Sequence, residues 1–208
     1  MLAASACQVT VAAEIDAKAD GTGVVRAGVG LDADALKAAP DLATQLRVDD
    51  LRQSGWTVTG PSSEGDGLTW VRASKPFSTP GQASAVMGEL AGVDGPFRDL
   101  ALRQSRTLLK SKTAFYGVAD FSAGTSAFVD PDLRAKLGDD LKLDNQAFRF
   151  EVTARLPGET KMWSPPVGQR TVLQASAEGW RLVPVVPAAV ALLCAAAAVV
   201  LVVRRRRA

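Results

Sequence analysis

The stretch VVPAAVALLCAAAAVVLVV at residues 185–203 decides how the whole chain is arranged. Its nineteen residues are all Val, Ala, Leu, Cys or Pro. As a helix it would be roughly 28 Å long, which matches the hydrocarbon core of a bilayer, and a helix satisfies its own backbone polar groups in lipid. A buried helix of a soluble domain would not explain the basic run that follows. The sequence therefore predicts a transmembrane helix over 184–203 and a basic tail over 204–208, with Arg204, Arg205, Arg206 and Arg207.

The basic tail also orients the predicted span. Basic residues that flank a span stay in the cytoplasm, and Arg181 is the basic residue nearest to its other end. We therefore predict a single-pass protein of the plasma membrane. Its C-terminus is cytoplasmic, and the domain over 7–183 is extracytoplasmic.

The N-terminus bears on this topology, because an exported domain needs a signal with an apolar core of about 7–15 residues. Residues 1–6 are too short for one, so we predict that they are the remnant of an export signal whose leader lies upstream. The alternative is a tail-anchored cytosolic protein, which would have to move its arginines across the bilayer at roughly 2.5–3.5 kcal/mol each. Small residues precede Cys7, as in bacterial lipoprotein signals, which makes Cys7 a candidate lipidation site. Otherwise Cys7 simply begins a strand.

Cysteine content and charge exclude a disulfide in the ectodomain and a surface for binding nucleic acid. The two cysteines are Cys7 and Cys194, and the second lies inside the predicted span, so they cannot pair. The ectodomain of about 175 residues must therefore be stabilised by its core. The net charge is +2, but without the four tail arginines 20 basic residues stand against 22 acidic ones. This balance makes nucleic acid an unsuitable partner.

Alternation of apolar and polar residues predicts a hairpin at the start of the ectodomain. The pattern runs over 8–18, turns at Asp20-Gly21-Thr22-Gly23 and resumes over 24–31. On the buried side of the first strand we expect Val9, Val11, Ala13 and Ile15, and on the exposed side Thr10, Glu14 and Asp16.

Further strands alternate with helical segments along the chain. Asp32 and Thr79 precede two of these segments and are predicted helix caps. The order predicts an α+β fold, an antiparallel sheet of hairpins with about three packed helices, together with the C-terminal transmembrane helix. The predicted strands cover 56–60, 68–75, 98–104, 107–121, 148–156 and 171–177, and the predicted helices cover 33–39, 41–53, 80–92 and 124–137.

A series of short motifs covers nearly the whole chain: Cys7-Gln8-Val9-Thr10-Val11, Asp20-Gly21-Thr22-Gly23, Gly55-Trp56, Lys75-Pro76-Phe77, Gly95-Pro96-Phe97, Gly117–Phe121 and Leu156-Pro157-Gly158. In order and spacing, and with the final span and its basic tail, they resemble the actinobacterial LppM-type envelope proteins, a family of uncharacterised lipoprotein-like domains. The resemblance implies a secreted, membrane-attached α+β domain and suggests that it binds a lipid or glycolipid. It brings no catalytic motif.

The residue types exclude several kinds of chemistry. The chain has no histidine, which excludes Ser–His–Asp and Cys–His nucleophile systems and histidine-ligated metals. The adjacent pairs Asp49-Asp50 and Asp139-Asp140 are better explained as helix caps. Asp130 and Asp132 supply too few oxygens for a calcium site. We therefore expect no enzymatic activity, no metal and no cofactor.

A basic run lies outside the tail and could contact anionic headgroups near a membrane. The alternative is that it is the solvated side of a strand whose other side is apolar. Tryptophans outside the span could line an apolar cavity or belong to an ordinary core. The basic residues are Arg103, Arg106, Lys110 and Lys112, and the tryptophans are Trp56, Trp70, Trp163 and Trp180.

Two function classes remain open. The first is a membrane-anchored envelope protein whose non-catalytic ectodomain binds a lipid, glycolipid or other envelope component in an apolar pocket. The second is a structural or adaptor subunit that packs against another membrane protein through the small residues Ala191 and Ala195–Ala198 of the span. An enzyme that uses carboxylates or a Ser/Lys pair is the least favoured class.

Overall fold

The N-terminal hairpin has the form that its sequence predicts. The computed structural model describes residues 8–38, 48–92, 95–107, 109–122 and 148–180. Strand β1 (Val9–Ala17) pairs antiparallel with β2 (Gly23–Leu31). In the turn, the Asp20 carboxylate accepts hydrogen bonds from the Thr22 N–H at 3.0 Å and the Thr22 hydroxyl at 2.7 Å. These local bonds explain why the turn is predictable.

The larger sheet has six strands in the order β3-β4-β2-β1-β7-β8. It adds β3 (Thr57–Ser63), β4 (Thr69–Phe77), β7 (Phe148–Leu156) and β8 (Glu159–Trp163) to the hairpin. The predicted strands over 56–60 and 68–75 are confirmed as the antiparallel pair β3 and β4, although β3 continues to Ser63. The expectation of a purely antiparallel sheet is wrong, because β1 and β7 are parallel. Alternation shows which residues share a face of a strand, but it does not show the partner strand or its direction.

A second sheet contains β5 (Phe97–Arg106), β6 (Lys110–Asp120) and β9 (Arg170–Trp180), in the order β5-β6-β9. All of its pairs are antiparallel. Strands β5 and β6 correspond to the predicted strands over 98–104 and 107–121. The prediction of one sheet is wrong, because β5, β6 and β9 form this separate sheet.

Three helices lie in the described part of the chain: α1 (Ala33–Ala38), α2 (Val48–Gln53) and α3 (Pro80–Ala91). Both predicted caps are confirmed. Asp32 accepts a hydrogen bond from the Ala35 N–H at 2.7 Å, and Thr79 accepts one from the Gln82 N–H at 3.2 Å. The described residues thus form a mostly β structure with three helices, which is an α+β fold.

The main core lies between the two sheets and α3. Val25 of the larger sheet, Phe115 and Leu173 of the smaller sheet, and Val86 of α3 are each at most 2% exposed. Burial of large apolar side chains from all three layers supplies most of the favourable free energy of folding. The sheets are therefore held together by their facing apolar sides.

One residue of β1 is buried although its sequence position predicts exposure. Thr10 is only 4% exposed. It pairs with Gly30, which in turn pairs with Trp70, and a Cβ atom at Gly30 would lie 2.8 Å from the Trp70 ring. The indole thus covers the space beside Thr10. Alternation fails here because a large side chain two strands away covers this position.

Several predicted features lie outside the described residues. They are the helical segment 124–137, the span over 184–203, the N-terminal residues 1–6 with Cys7, and the tail arginines. In the ranges that are described, no helix is both long enough and apolar enough to cross a bilayer. The transmembrane helix and the lipidation site stay predictions.

Candidate functional site

An apolar cavity lies on the inner face of the larger sheet, where three neighbouring strands place alanine side by side. Ala13 on β1 pairs with Ala27 on β2, which pairs with Ala73 on β4. Three methyl groups in one row leave space between the sheet and the layer that covers it. The cavity that results has a volume of about 620 Å³.

Most of the remaining walls of the cavity are also apolar, and Glu89 at the edge is the acidic exception. Leu51 of α2, Leu90 of α3 and Phe97 at the start of β5 lie opposite the sheet, and the cavity is partly open. Arg72 borders it, but its guanidinium lies 4.0 Å from the Trp70 ring and donates to Glu64, on the other face of the sheet. The cavity can therefore bury an apolar group without removing a charged group from water.

A second space of about 30 Å³ lies beside the first. Its walls include Ala13, Leu90 and Phe97, which also line the larger cavity. It is large enough for about one water molecule, but apolar cavities of this kind stay dry. Leu90 and Phe97 thus mark the inner limit of the main cavity.

A polar cluster lies at the edge of the cavity and connects three elements around it. Lys75 Nζ donates to both carboxylate oxygens of Glu89, at 2.7 and 3.0 Å, and to the Ser54 carbonyl at 2.7 Å. Trp56 Nε1 donates to the same carboxylate at 3.1 Å. The Lys75 hydrogen bond, with help from Trp56, holds the pKa of Glu89 below its ordinary value. The cluster ties β4, α3 and the end of α2 together.

We expect Glu89→Gln to destabilise the protein in a pH-dependent way. Because the pKa of Glu89 is lowered by folding, its contribution to stability is complete above the ordinary glutamate pKa of about 4.3 and is lost as the pH falls through the folded value. Urea unfolding at neutral pH should give a lower midpoint for the variant, and the difference between the two midpoints should be smaller at pH 3 than at pH 7. Glu178→Gln is the control, because Glu178 forms an exposed ion pair with Lys112. If the substitution lowered the urea midpoint by the same amount at both pH values, the Glu89 charge would not be the source of the stabilisation.

The four basic residues proposed as headgroup contacts do not share one surface. Arg103, Lys110 and Lys112 lie on the outer face of the smaller sheet, and Lys112 forms an ion pair with Glu178 at 3.2 Å. Arg106 lies on the opposite face, where its guanidinium is 3.4 Å from the Ala19 carbonyl oxygen. Contact of all four with headgroups stays a prediction, and the geometry separates Arg106 from the others.

Three of the tryptophans, Trp56, Trp70 and Trp163, have three different roles, and none of these three lines the cavity. Trp56 belongs to the polar cluster at its edge, and Trp70 covers the outer face of the larger sheet. Trp163 lies 6.0 Å from Phe115 in the core. The sequence thus predicts an apolar pocket but not its walls, which are small and aliphatic rather than rich in tryptophan.

The described residues contain no group of three or more His, Cys, Asp or Glu side chains placed to hold a metal ion. The acidic candidates Asp130, Asp132 and Asp139-Asp140 lie outside the described residues. The expectations of no metal, no cofactor and no catalysis stay predictions.

Comparison with known proteins gives one structural likeness. No protein-family model matches the chain, and no curated protein matches it. Among solved structures, the chain is similar to the folded domain of Mycobacterium tuberculosis LppM, solved by NMR, with a TM-score of 0.45 and 14% sequence identity over 87% of this chain and 95% of that one. That protein is of the type that the sequence motifs resemble. At this identity and score the likeness says nothing about function, and membership of that family stays a prediction.

Proposed function

We propose that the chain is a membrane-anchored envelope protein whose non-catalytic ectodomain binds a lipid or glycolipid through its acyl chain. The observation that carries this proposal is the cavity of about 620 Å³ above Ala13, Ala27 and Ala73. Its volume lies within the roughly 300–1,000 Å³ that is usual for ligand sites. The ligand would lie between the sheet and the pair Leu90 and Phe97.

The size and apolar walls of the cavity suit an acyl chain that displaces water from it. A closed, empty void of 620 Å³ would cost about 15 kcal/mol at roughly 24 cal/mol per Å³. That is the entire net stability of a typical domain, which is about 5–15 kcal/mol. The space must therefore be open to water or filled, and burial of an acyl chain against apolar walls is more favourable than water there.

The chemistry of the walls favours binding over catalysis. Among the lining residues described, Glu89 is the one acidic side chain, and its carboxylate is engaged by Lys75 and Trp56. The walls thus offer apolar contact, and the headgroup would lie near this polar cluster at the edge of the cavity. The envelope location and the anchor rest on the predicted span over 184–203, and the adaptor role through that span is the alternative.

Photo-cross-linking tests the proposal. The full chain is placed in vesicles that contain a phospholipid with a diazirine in its acyl chain, irradiated and digested, and the cross-linked peptides are identified by mass spectrometry. We expect cross-links on the peptides that carry Val29 and Val71, in addition to the predicted span. The peptide that carries Tyr116, on the outer face of the smaller sheet, is the internal control. Cross-links confined to 185–203 would contradict binding in the cavity.

A further inference from the structure

The turn between β5 and β6 lies at the point where the described chain ends. Trp180, the last residue of β9, pairs with Lys110, the first residue of β6. Thr107 and Lys110 close the turn, with the Thr107 N–H donating to the Lys110 carbonyl at 2.8 Å. Whatever follows Trp180 therefore begins beside this turn.

The sequence leaves little length between this point and the predicted span. Four residues, 181–184, separate Trp180 from the apolar stretch over 185–203. A fully extended chain covers at most about 3.6 Å per residue, so these residues reach about 14 Å. If the span crosses the bilayer, the β5–β6 turn lies at the membrane surface.

The turn presents the side chains that such a surface would bind. Leu109 is 50% exposed at its tip. Lys110 follows it, and Lys112 is half-exposed on the same strand face. Arg106 and Gln104 donate to the Ala19 carbonyl, which places the β1–β2 turn and its exposed Lys18 beside this end. This end of the structure therefore carries four basic side chains, with Lys110 and Lys112 on the outer face of the smaller sheet and Arg106 and Lys18 on the side of the β1–β2 turn, and two acidic ones, Asp20 and Glu178.

We infer that the β5–β6 turn docks on the bilayer, with Leu109 in the interfacial region and Lys110 and Lys112 on anionic phosphate headgroups. An exposed leucine flanked by basic residues suits a membrane interface, because the apolar side chain is buried among acyl chains while the ammonium groups stay with the headgroups. This inference rests on the proposed anchor over 184–203, but not on the cavity being occupied.

The docked position of the turn sets the distance between the cavity and the membrane surface. Phe97, which lines the cavity, is the first residue of β5, and Arg106 at the other end of that strand adjoins the turn. Nine steps of about 3.3 Å separate them, and six such steps separate Ala13 on β1, another lining residue, from Ala19 beside Arg106. The walls of the cavity therefore lie about 20–30 Å along the strands from the docked end.

Depth-dependent quenching tests the docking. A fluorescent amino acid is placed at position 109 or, as the control, at position 172, because Val172 is 65% exposed near the other end of the smaller sheet. The full chain is reconstituted into phosphatidylcholine vesicles with or without phosphatidylglycerol and with nitroxide-labelled lipid. We expect lipid quenching at 109 and not at 172, and the reverse for aqueous iodide. Equal quenching at both sites would overturn the inference. Protection of 109 from both quenchers would also overturn it, since a protein partner would then cover the turn.

Charge variants test the contact with headgroups. Lys110→Glu combined with Lys112→Glu should reduce the quenching at 109 several-fold in anionic vesicles, because each basic side chain near such a surface shifts the equilibrium about fivefold. Arg98→Glu, at the far end of β5, should leave it unchanged. If quenching at 109 were the same in the Lys110→Glu, Lys112→Glu double variant and in Arg98→Glu, the headgroup contact would be overturned. An alkaline wash separates failure of the anchor, in which the chain leaves the vesicles, from failure of the docking.

Discussion

The variant Ala27→Leu is expected to lose lipid binding and yet unfold at a higher temperature than the wild type. The added atoms would project from the middle of the alanine row into the cavity of about 620 Å³. They would occupy the space of the acyl chain, so we expect at least a tenfold loss of affinity. Because they fill a void instead of displacing packed side chains, they should add about 0.5–2 kcal/mol to the free energy of unfolding.

The matched control is Ala154→Leu, which makes the same change one row away. Ala154 pairs with Ile15, is 0% exposed and does not line the cavity. Leucine there must push packed neighbours aside, which usually costs about 1–3 kcal/mol. Thermal unfolding of both variants measures the difference. Destabilisation of equal size in both would mean that the space above Ala27 is not a cavity.

The second large effect is expected for Phe121→Ala, which should lower the free energy of unfolding by about 3–5 kcal/mol. Phe121 is 0% exposed. Its ring centroid lies 4.2 Å from that of Phe150 in the larger sheet and 5.9 Å from that of Phe97 in the smaller one. Removal of the ring leaves a void between the two sheets. It also removes the ring contact with Phe97, which lines the cavity.

Urea unfolding followed by circular dichroism measures this loss. Val172→Ala is the control, because Val172 is 65% exposed and a surface substitution normally changes stability by less than about 0.5 kcal/mol. The free energy of unfolding of Phe121→Leu should lie between the values of Phe121→Ala and Val172→Ala. A Phe121→Ala loss as small as that of Val172→Ala would show that the sheets do not depend on this aromatic contact.

The features that the sequence predicts well are those set by interactions between neighbouring residues. The β1–β2 turn, with Asp20 and Thr22, and the helix caps Asp32 and Thr79 each depend on hydrogen bonds that span at most three residues. Such bonds form whatever the rest of the chain does, so their residue types reveal them. Eight of the nine described strands also follow from alternation. The exception is β8, an edge strand whose residues are mostly exposed and do not alternate.

The arrangement of the sheets could not be predicted in this way. Val9 pairs with Phe148, and nothing in either alternating run identifies the other as its partner. Division into two sheets likewise depends on which strand pairs with β6. These choices are made by the packing of the whole core, which local patterns do not encode.

Part of the cavity wall could be predicted from the sequence. Once the turn fixes the register of the hairpin, Ala13 must face Ala27, so two small side chains are adjacent on the buried face. Ala73 joins them only through the β2–β4 pairing, and Leu90 and Phe97 cover them only in the folded core. The pairing of Lys75 with Glu89 depends on the same tertiary contacts.

Native mass spectrometry of the full chain, purified from its own membranes in mild detergent, tests the central claim most directly. The wild type is expected to carry about one lipid molecule per chain, Ala154→Leu to carry the same lipid in its folded fraction, and Ala27→Leu to carry none. A wild type free of lipid, or a variant Ala27→Leu that retains as much lipid as the wild type, would contradict the account.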